Sequence, residues 1–283
     1  MKTIMLGILL GFSFILTSCQ KEQLQGSDLS KNNDQGPVIG RVDPNGTCEP
    51  FPFGLLGLKN GTFTINSATN LIADVGYSSN VTSNTNQKIN SFTGTAYVHT
   101  QVTSFVYTPA TYQPSGGITR NDPIADALLN NANDNAIAVS ANYASLTPSY
   151  TFGAVTTNQT IGSVSHNTVV QMASLNYNSN TLTLNGTAGV DDGFIINVLG
   201  SFDFSQSSIL LNNVRPERVI FNFPNASNIT VNKSSNIFRG TILAPTGSVI
   251  YHNPASFEGS IIALNIAVHS DFNLTQRSYC NGN

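Results

Sequence analysis

Residues able to perform acid–base or metal chemistry are few in this 283-residue chain, and their spacing matches no catalytic motif. Asp191 and Asp192 are adjacent, but neighbours on a strand face opposite sides, so the two carboxylates would not converge on a substrate. Gly193 follows them and favours a turn. The histidines have no metal-ligand spacing such as H-E-x-x-H; they are His99, His166, His252 and His269. We therefore predict a protein that is not an enzyme and that uses no metal or other cofactor.

Two smaller groups of polar residues also require an interpretation. His252 and His269 are 17 residues apart, which would place them close together on neighbouring turns of a repeating fold. We interpret them as part of a surface polar ladder, in which the two rings could stack. Arg215, Glu217 and Arg218 form a small charge cluster in a chain with only 10% charged residues. We interpret this cluster as a solvated turn with local ion pairs, and a ligand contact is the alternative.

The N-terminal residues have the layout of an export signal. Lys2 supplies a positive charge, and the apolar run Ile4–Leu16 is shorter than the roughly 20 residues that span a bilayer. The sequence L-T-S-C ending at Cys19 resembles the bacterial lipobox, in which the cysteine thiol carries diacylglycerol. We predict a lipoprotein signal peptide over residues 1–18, lipidation of Cys19, and an outer-membrane protein exposed at the cell surface. An ordinary signal peptide followed by an unmodified cysteine is the alternative.

The remainder of the chain divides into a tether and one domain. Residues 19–47 are polar and aperiodic, so we predict a flexible tether with a root-mean-square reach of about 30 Å. Residues 48–283 form the predicted folded domain. If Cys19 is acylated, Cys48 and Cys280 remain, and an even pair in an exported protein predicts a disulfide that joins the two ends of the domain. Two free thiols are the alternative.

The predicted domain is rich in short strands. Between residues 51 and 273, runs of Val, Ile, Thr, Phe and Tyr alternate with Asn, Gly and Ser, a pattern typical of strands separated by turns. The 35 asparagines, with many Ser and Thr, replace the charged residues of an ordinary domain. An apolar content of 40% is sufficient to bury a core.

An internal repeat narrows the fold class. Residues 237–245 and 256–264 align at an offset of 19, which pairs Phe238 with Phe257 and Gly240 with Gly259, and Val249 with Val268 further on. Residues 91–98 form a third copy of the Phe-x-Gly-[Ser/Thr] core. A period near 20 suits a three-sided coil of parallel strands, with Phe inside and Gly at a corner. We predict a mainly β protein, a right-handed parallel β-helix or solenoid; an antiparallel sandwich is the alternative.

One segment has helical rather than strand periodicity. Asp122 can cap a helix, Pro123 suits its first turn, and Pro148 prevents its continuation. The apolar spacing between them predicts one long α-helix over about residues 122–146, packed alongside the solenoid. Its inner positions are predicted to be Leu128, Leu129, Ala132, Ala136, Ser140 and Ala144.

Three sequence blocks near the C-terminal end resemble a known family. Residues 221–226 read F-N-F-P-N-A, residues 240–245 read G-T-I-L-A-P, and residues 259–263 read G-S-I-I-A. These blocks resemble the choice-of-anchor A family, whose members are often described as collagen-binding-domain proteins. The resemblance extends roughly over residues 51–273 and implies a surface-displayed β-helix. The layout is also similar to that of ice-binding β-solenoids, which carry a helix beside the rungs.

Together, these features predict a cell-surface lipoprotein with a non-catalytic adhesion solenoid. The predicted partners are a matrix protein such as collagen, or a glycan, and the membrane through the lipid anchor. A net charge of −3 and the absence of any Lys or Arg run argue against nucleic acid. The alternatives are an ice-binding protein, a structural envelope protein and a polysaccharide-active enzyme. Ice binding would use regularly spaced threonines, and the candidates are the pairs Thr62/Thr64, Thr93/Thr95 and Thr181/Thr183.

Overall fold

The computed structural model describes residues 52–65, 69–84, 89–102, 105, 114–225, 228–232, 237–252, 255–269, 272–277 and 279. All of them belong to one compact unit, residues 37–283. The signal peptide, Cys19, the whole tether, and Cys48 and Cys280 lie outside the described residues, so their assignments stay predictions. Within the described part of the chain, no helix is both long and apolar enough to cross a membrane.

The described chain contains twenty strands, one α-helix and one 3-10 turn, Pro216–Arg218. The helix is α1 (Pro123–Ser145). The strands are β1 (Leu55–Gly57), β2 (Thr62–Ile65), β3 (Thr69–Ile72), β4 (Val75–Tyr77), β5 (Thr82–Asn84), β6 (Ile89–Thr93), β7 (Ala96–Val98), β8 (Ile118–Arg120), β9 (Tyr150–Val155), β10 (Gln159–Gly162), β11 (Asn167–Asn178), β12 (Thr181–Asn185), β13 (Gly193–Val198), β14 (Phe202–Ser205), β15 (Ser208–Asn212), β16 (Val219–Asn222), β17 (Asn228–Asn232), β18 (Phe238–His252), β19 (Ala255–Val268) and β20 (Phe272–Gln276).

All strand pairings are parallel, and they form a three-sided coil. The first side, here called the helix face, has the order β8–β7–β4–β1–β19–β18–β16–β13–β11–β9. The second side, the open face, has the order β5–β2–β19–β18–β17–β14–β11–β9. The third face contains β6–β3–β20–β19–β18 and a separate sheet, β15–β12–β10. The predicted β-solenoid with one helix is therefore confirmed.

The order of the rungs differs from their order in the chain. The first rung stacks on the last one, because Leu55 pairs with Ile261. The rungs that follow the first one lead to one end of the stack at β8. The helix α1 then connects this end to the other end, where β9 lies. The remaining rungs return from β9 to the middle. The strands that come last in the sequence, β19 and β20, therefore pair with neighbours on both sides. The C-terminal rung lies inside the stack and not at either end.

The repeat places its residues largely as predicted. Phe238 and Phe257 are fully buried and stack inside the coil, with ring centroids 5.1 Å apart. Gly240 occupies a corner with a φ of 116°, in the region that favours glycine. The predicted pairing of Val249 with Val268 is wrong, because Val249 pairs with Ile266. The register shifts since the corner between Ala244 and Ser248 is longer than the corresponding corner of the next rung.

The helix α1 forms at the predicted position. The Asp122 carboxylate accepts a hydrogen bond from the backbone N–H of Ile124 at 2.9 Å, which caps the first turn. Leu129, Ala132 and Ala136 pack on the helix face as expected, whereas Leu128 and Ala144 are only half-buried. The helix face is therefore buried on both sides, and its strands contain consecutive buried, mostly apolar residues such as F-I-I-N-V at 194–198.

Two buried asparagines fix α1 to the helix face. Asn222 accepts a hydrogen bond from the Ser140 hydroxyl at 2.6 Å and donates to the Ser140 carbonyl at 2.9 Å. Asn222 also donates to Asn197, which in turn donates to the carbonyl of Tyr143 at 2.7 Å. All members of this network are buried and hydrogen-bonded, so the helix has a single defined position on the sheet.

Candidate functional site: the open face

The charged residues identified in the sequence have structural roles. Arg218 is fully buried, so its assignment to a solvated turn is wrong. Its guanidinium donates to Asn167 Oδ1 at 2.9 Å and to the carbonyl of Asp191 at 3.0 Å, and it lies 3.4 Å from the Asp191 carboxylate. These bonds join three neighbouring corner loops of the stack. A buried guanidinium needs several acceptors, and the loop carbonyls supply them.

The other two members of that cluster do form surface ion pairs. Arg215 makes a bidentate contact with Asp191, at 2.9 and 3.0 Å, and both side chains are exposed. Glu217 lies 3.8 Å from Arg277. Exposed pairs of this kind contribute little to stability and offer no concave ligand site.

Asp191 and Asp192 lie in the loop between the turn at residues 188–189 and β13, rather than in the turn itself, and have separate partners. Asp192 accepts a hydrogen bond from the backbone N–H of Thr187 at 2.7 Å. Burial raises the pKa of Asp192, but the hydrogen bonds from Thr187 and Ser163 outweigh it and hold that pKa below its usual value. The carboxylate is thus an ionised loop anchor. Within the described residues, no three His, Cys, Asp or Glu side chains converge as metal ligands would.

His252 and His269 stack, as their spacing suggested. Their ring centroids are 4.5 Å apart with an interplanar angle of 21°. Burial, and then the neighbouring His252, lower the pKa of His269. The pair lies at one edge of the open face, where His252 is next to Asn232 in the sheet.

The open face carries parallel rows of small, mostly uncharged side chains. Adjacent strands are about 4.8 Å apart, and outward residues repeat about every 6.6 Å along a strand. The pairing register defines a middle row that runs across six strands: Thr64, Ala267, Ile250, Thr230, Asp203 and Asn176. A second row beside it contains Thr82, Thr62, Asn265, Ser248 and Asn228.

Hydrogen bonds between rungs hold the second row in place. Asn265 accepts from the Thr62 hydroxyl at 3.0 Å and donates to the Ser248 hydroxyl at 3.0 Å. Further along the stack, Asn176 donates to the Ser201 hydroxyl, also at 3.0 Å. Because these side chains are held by their neighbours, they would lose little conformational entropy on contact with a surface.

The part of the open face formed by β11 and β14 differs from the rest in shape and charge. A shallow depression of about 210 Å³ is lined there by Asn176, Asn178, Asp203 and Ser205. Asp203 is the carboxylate of the middle row, and it accepts a hydrogen bond from Ser205 at 2.7 Å. The flat, uncharged part of the open face therefore lies on the strands from β2 to β17.

The third face is less regular. Arg239 and Glu258 form an ion pair across it at 3.1 Å. Ile72 and Leu210 are large apolar side chains that are exposed there. Its strands also divide into two sheets, since β15 pairs with β12 and not with β18.

The predicted threonine pairs do not share one face. Thr62 and Thr64 lie on the open face, whereas Thr93, Thr181 and Thr183 lie on the third face. Most open-face residues, such as Thr230 and Asn265, belong to no Thr-x-Thr motif. Their common position follows only from the register of strands that are distant in the chain, which local motifs do not reveal.

Known structures share this architecture. An ice-binding protein from the Antarctic ascomycete Antarctomyces psychrotrophicus is similar with a TM-score of 0.57 at 14% identity, over 86% of this chain and 99% of that one. The DUF3494 domain of ice-binding protein_1 from Shewanella frigidimarina gives 0.53 at 16% identity, over 86% and 99%. An ice-binding protein from an Antarctic Flavobacteriaceae bacterium gives 0.56 at 16% identity over 85% of this chain, which spans 47% of that protein. No curated protein sequence matches this chain.

A family model gives a more specific assignment than these fold similarities. The matching model is described as a putative ice-binding-like adhesive domain, and it covers residues 51–274. This match overturns the predicted membership of the choice-of-anchor A family, because the matching family is a different one and the similar solved structures are ice-binding proteins. The chain belongs to the family of putative ice-binding-like adhesive domains.

Proposed function

We propose that this protein is a non-enzymatic adhesive domain that binds ice, or an equally ordered hydrated surface, through its open face. The observation that carries the proposal is the uncharged part of the open face on β2, β19, β18 and β17, whose outward rows are polar and methyl-bearing side chains. The ice-binding proteins with the same fold support the choice of ligand. The prediction of collagen as a partner depended on the resemblance to the choice-of-anchor A family, which the family match has overturned.

The chemistry of the rows suits ordered water. Thr64 and Thr230 each present a hydroxyl and a methyl group, and Ala267 and Ile250 between them present only apolar groups. Hydroxyls and amides can hydrogen-bond ordered waters, and the methyl groups limit competition from mobile water. The parallel sheet fixes the spacing of both kinds of group in two directions.

The open face is a better candidate than the other two sides. The helix face is covered by α1, and its outward residues, such as Leu243, are buried. The third face carries the Arg239–Glu258 ion pair and is divided into two sheets. Strongly hydrated charges would oppose binding to a flat, repeating surface. The break between the two sheets would oppose it as well, because it interrupts the regular spacing of the outward residues.

We also propose that the domain is displayed outside the cell on a lipid anchor. The support is the lipobox-like sequence at Cys19 and the polar tether, residues 19–47. An adhesive domain at the end of a flexible tether could attach the cell to an external surface. Replacement of Cys19 by Ser should move the protein from the outer-membrane fraction to a soluble one, and retention in the membrane would oppose lipidation at this residue.

The ice proposal can be tested with one pair of matched variants. Thr230→Lys places a charge in the middle row of the open face, and Thr183→Lys places the same charge on the third face. Residues 37–283 would be frozen slowly, and the share of protein taken into ice would be measured together with ice recrystallisation inhibition. We expect uptake by the parent domain and by Thr183→Lys, and a loss of about tenfold or more for Thr230→Lys.

The result is interpretable only when both variants are folded. Circular dichroism and thermal melting would establish this, since both threonines are half-exposed and tolerate an outward side chain. Absence of the parent domain from ice would reject the function. Uptake that is lost in Thr183→Lys but kept in Thr230→Lys would reject the open face as the site.

A further inference from the structure

One end of the stack leaves two strand edges unpaired. The strand β9 pairs with β11 and the strand β10 pairs with β12, and in the described part of the chain neither has a second neighbour. About half of the backbone N–H and C=O groups of such an edge have no strand partner. Thr151, Ala154 and Thr160 on this end rung are exposed, so no other described residue covers them.

The sequence of this rung lacks the features that usually protect an edge. Residues 149–165 contain no charged residue and no proline. Exposed edges are usually protected by charged side chains, proline or a covering element, because an unprotected edge pairs with other strands. Tyr150 and Phe152 stack at this end of the core, with centroids 6.2 Å apart and an interplanar angle of 13°, and both remain partly exposed.

The opposite end of the stack differs on the helix face and the third face. Its last strand on the helix face, β8, has only three residues and ends in Arg120. The Arg120 guanidinium donates to the carbonyl of Val102 at 2.7 Å. On the third face, the turn at Ser115–Gly117 continues the stack, with the N–H of Gly116 bonded to the carbonyl of Gly94 at 2.9 Å. A short strand with a cationic end is a poor template for strand addition.

We propose that the edge formed by β9 and β10 is a self-association surface, which takes the same edge of a second copy of this chain. The edge carries no charge, so it has no feature that would select a charged partner protein. A second copy of this chain can bind through a two-fold axis, which requires only that the edge be complementary to itself. Such an axis, perpendicular to the stack, reverses the strand direction and pairs the edges as antiparallel strands. Tyr150 and Phe152 of the two copies then close one continuous core.

The symmetry of the contact predicts the size of the assembly. An edge that pairs with the same edge of a second copy is occupied by that contact, so the assembly closes as a dimer. The dimer is independent of the ice proposal, because the open-face rows from β2 to β17 do not include β9 or β10. It would double the number of adhesive faces in one particle.

Sedimentation equilibrium of residues 37–283 over a range of concentrations would test this inference. We expect a dimer that dissociates in Thr151→Lys, with the dissociation constant raised about tenfold or more, because the substitution places a charge in an otherwise uncharged shared edge. Thr151→Val is the matched control, since it keeps the size and strand propensity and adds no charge, and it should remain dimeric. Thr160→Lys on β10 provides a second disruptive variant if Thr151→Lys fails to fold.

Three outcomes would overturn the dimer. They are a monomeric parent domain at all concentrations, a series of higher oligomers, or dimers that persist in both lysine variants with an unchanged dissociation constant. Unchanged ice uptake by the monomeric lysine variants would separate this interface from the open face.

Discussion

Thr62 and Asn265 are neighbours on the open face although 203 residues separate them in the chain: Asn265 Oδ1 accepts from the Thr62 N–H at 2.9 Å and from its hydroxyl at 3.0 Å. This contact joins the first rung of the solenoid to the last. The stack is therefore continuous only after the C-terminal rung has been added. Formation of the first rungs is expected to depend on chain segments that follow α1.

The contact gives a stability prediction. Asn265→Ala leaves two donors of Thr62 without their acceptor, and we expect the free energy of unfolding to fall by about 1–2 kcal/mol. Asn228→Ala, in the same row but with an exposed side chain, should change it by about 0.5 kcal/mol or less. Urea denaturation of both variants is the measurement, and equal midpoints would contradict the special role of the junction.

Buried Arg218 should be much more important than exposed Arg215. Arg218→Met removes the donor for the carbonyl of Asp191 and for Asn167, and leaves these acceptors unpaired, so we expect a loss of about 3–5 kcal/mol. Arg215→Met removes an exposed ion pair and should cost about 1 kcal/mol or less. Thermal melts monitored by circular dichroism would distinguish the two. A small effect of Arg218→Met would mean that the loops are held by other contacts.

A corner glycine should tolerate no side chain. Gly94 has a φ of 142°, and a Cβ atom there would lie 2.0 Å from the carbonyl oxygen of Ala73. Gly94→Ala is expected to lower stability by more than about 2 kcal/mol, because both the backbone conformation and the close approach oppose it. Gly162→Ala is the control, since no atom lies within 4 Å of its added Cβ. Comparable melting temperatures for the two variants would exclude this explanation of the corner.

The stacked histidines should make stability depend on pH. The pKa of His269 in the folded state lies below its ordinary value. At pH values between the folded-state and unfolded-state pKa, the unfolded chain therefore binds more protons than the folded chain. The free energy of unfolding should therefore be fully retained above about pH 6.5, and fall as the pH drops below that value. His269→Gln should flatten the dependence between pH 7.5 and 5, and His252→Gln should reduce it in part. An unchanged slope of melting temperature against pH in His269→Gln would contradict the assignment.

Local patterns predicted the separate elements well. The helix expected over about residues 122–146 is Pro123–Ser145, because the Asp122 cap and Pro123 act within one turn of the chain. The 19-residue repeat correctly paired Phe238 with Phe257, since the register between β18 and β19 is unbroken from Phe238 to Ala244. Prediction failed at Val249, where an irregular corner shifts the register, and at Arg218, whose burial depends on loops from three rungs.

The sequence by itself determined that the chain forms parallel strands with small turns and one capped helix, because periodicity, capping and turn chemistry act over a few residues. Only the tertiary structure decided that the last rung lies between earlier ones, that α1 covers one side, and that Thr64, Ile250 and Thr230 share the open face. The reason is that a flat binding surface depends on the register between strands as far apart as β2 and β19. That register is set by corner lengths and by packing of the common core, and no local motif carries this information.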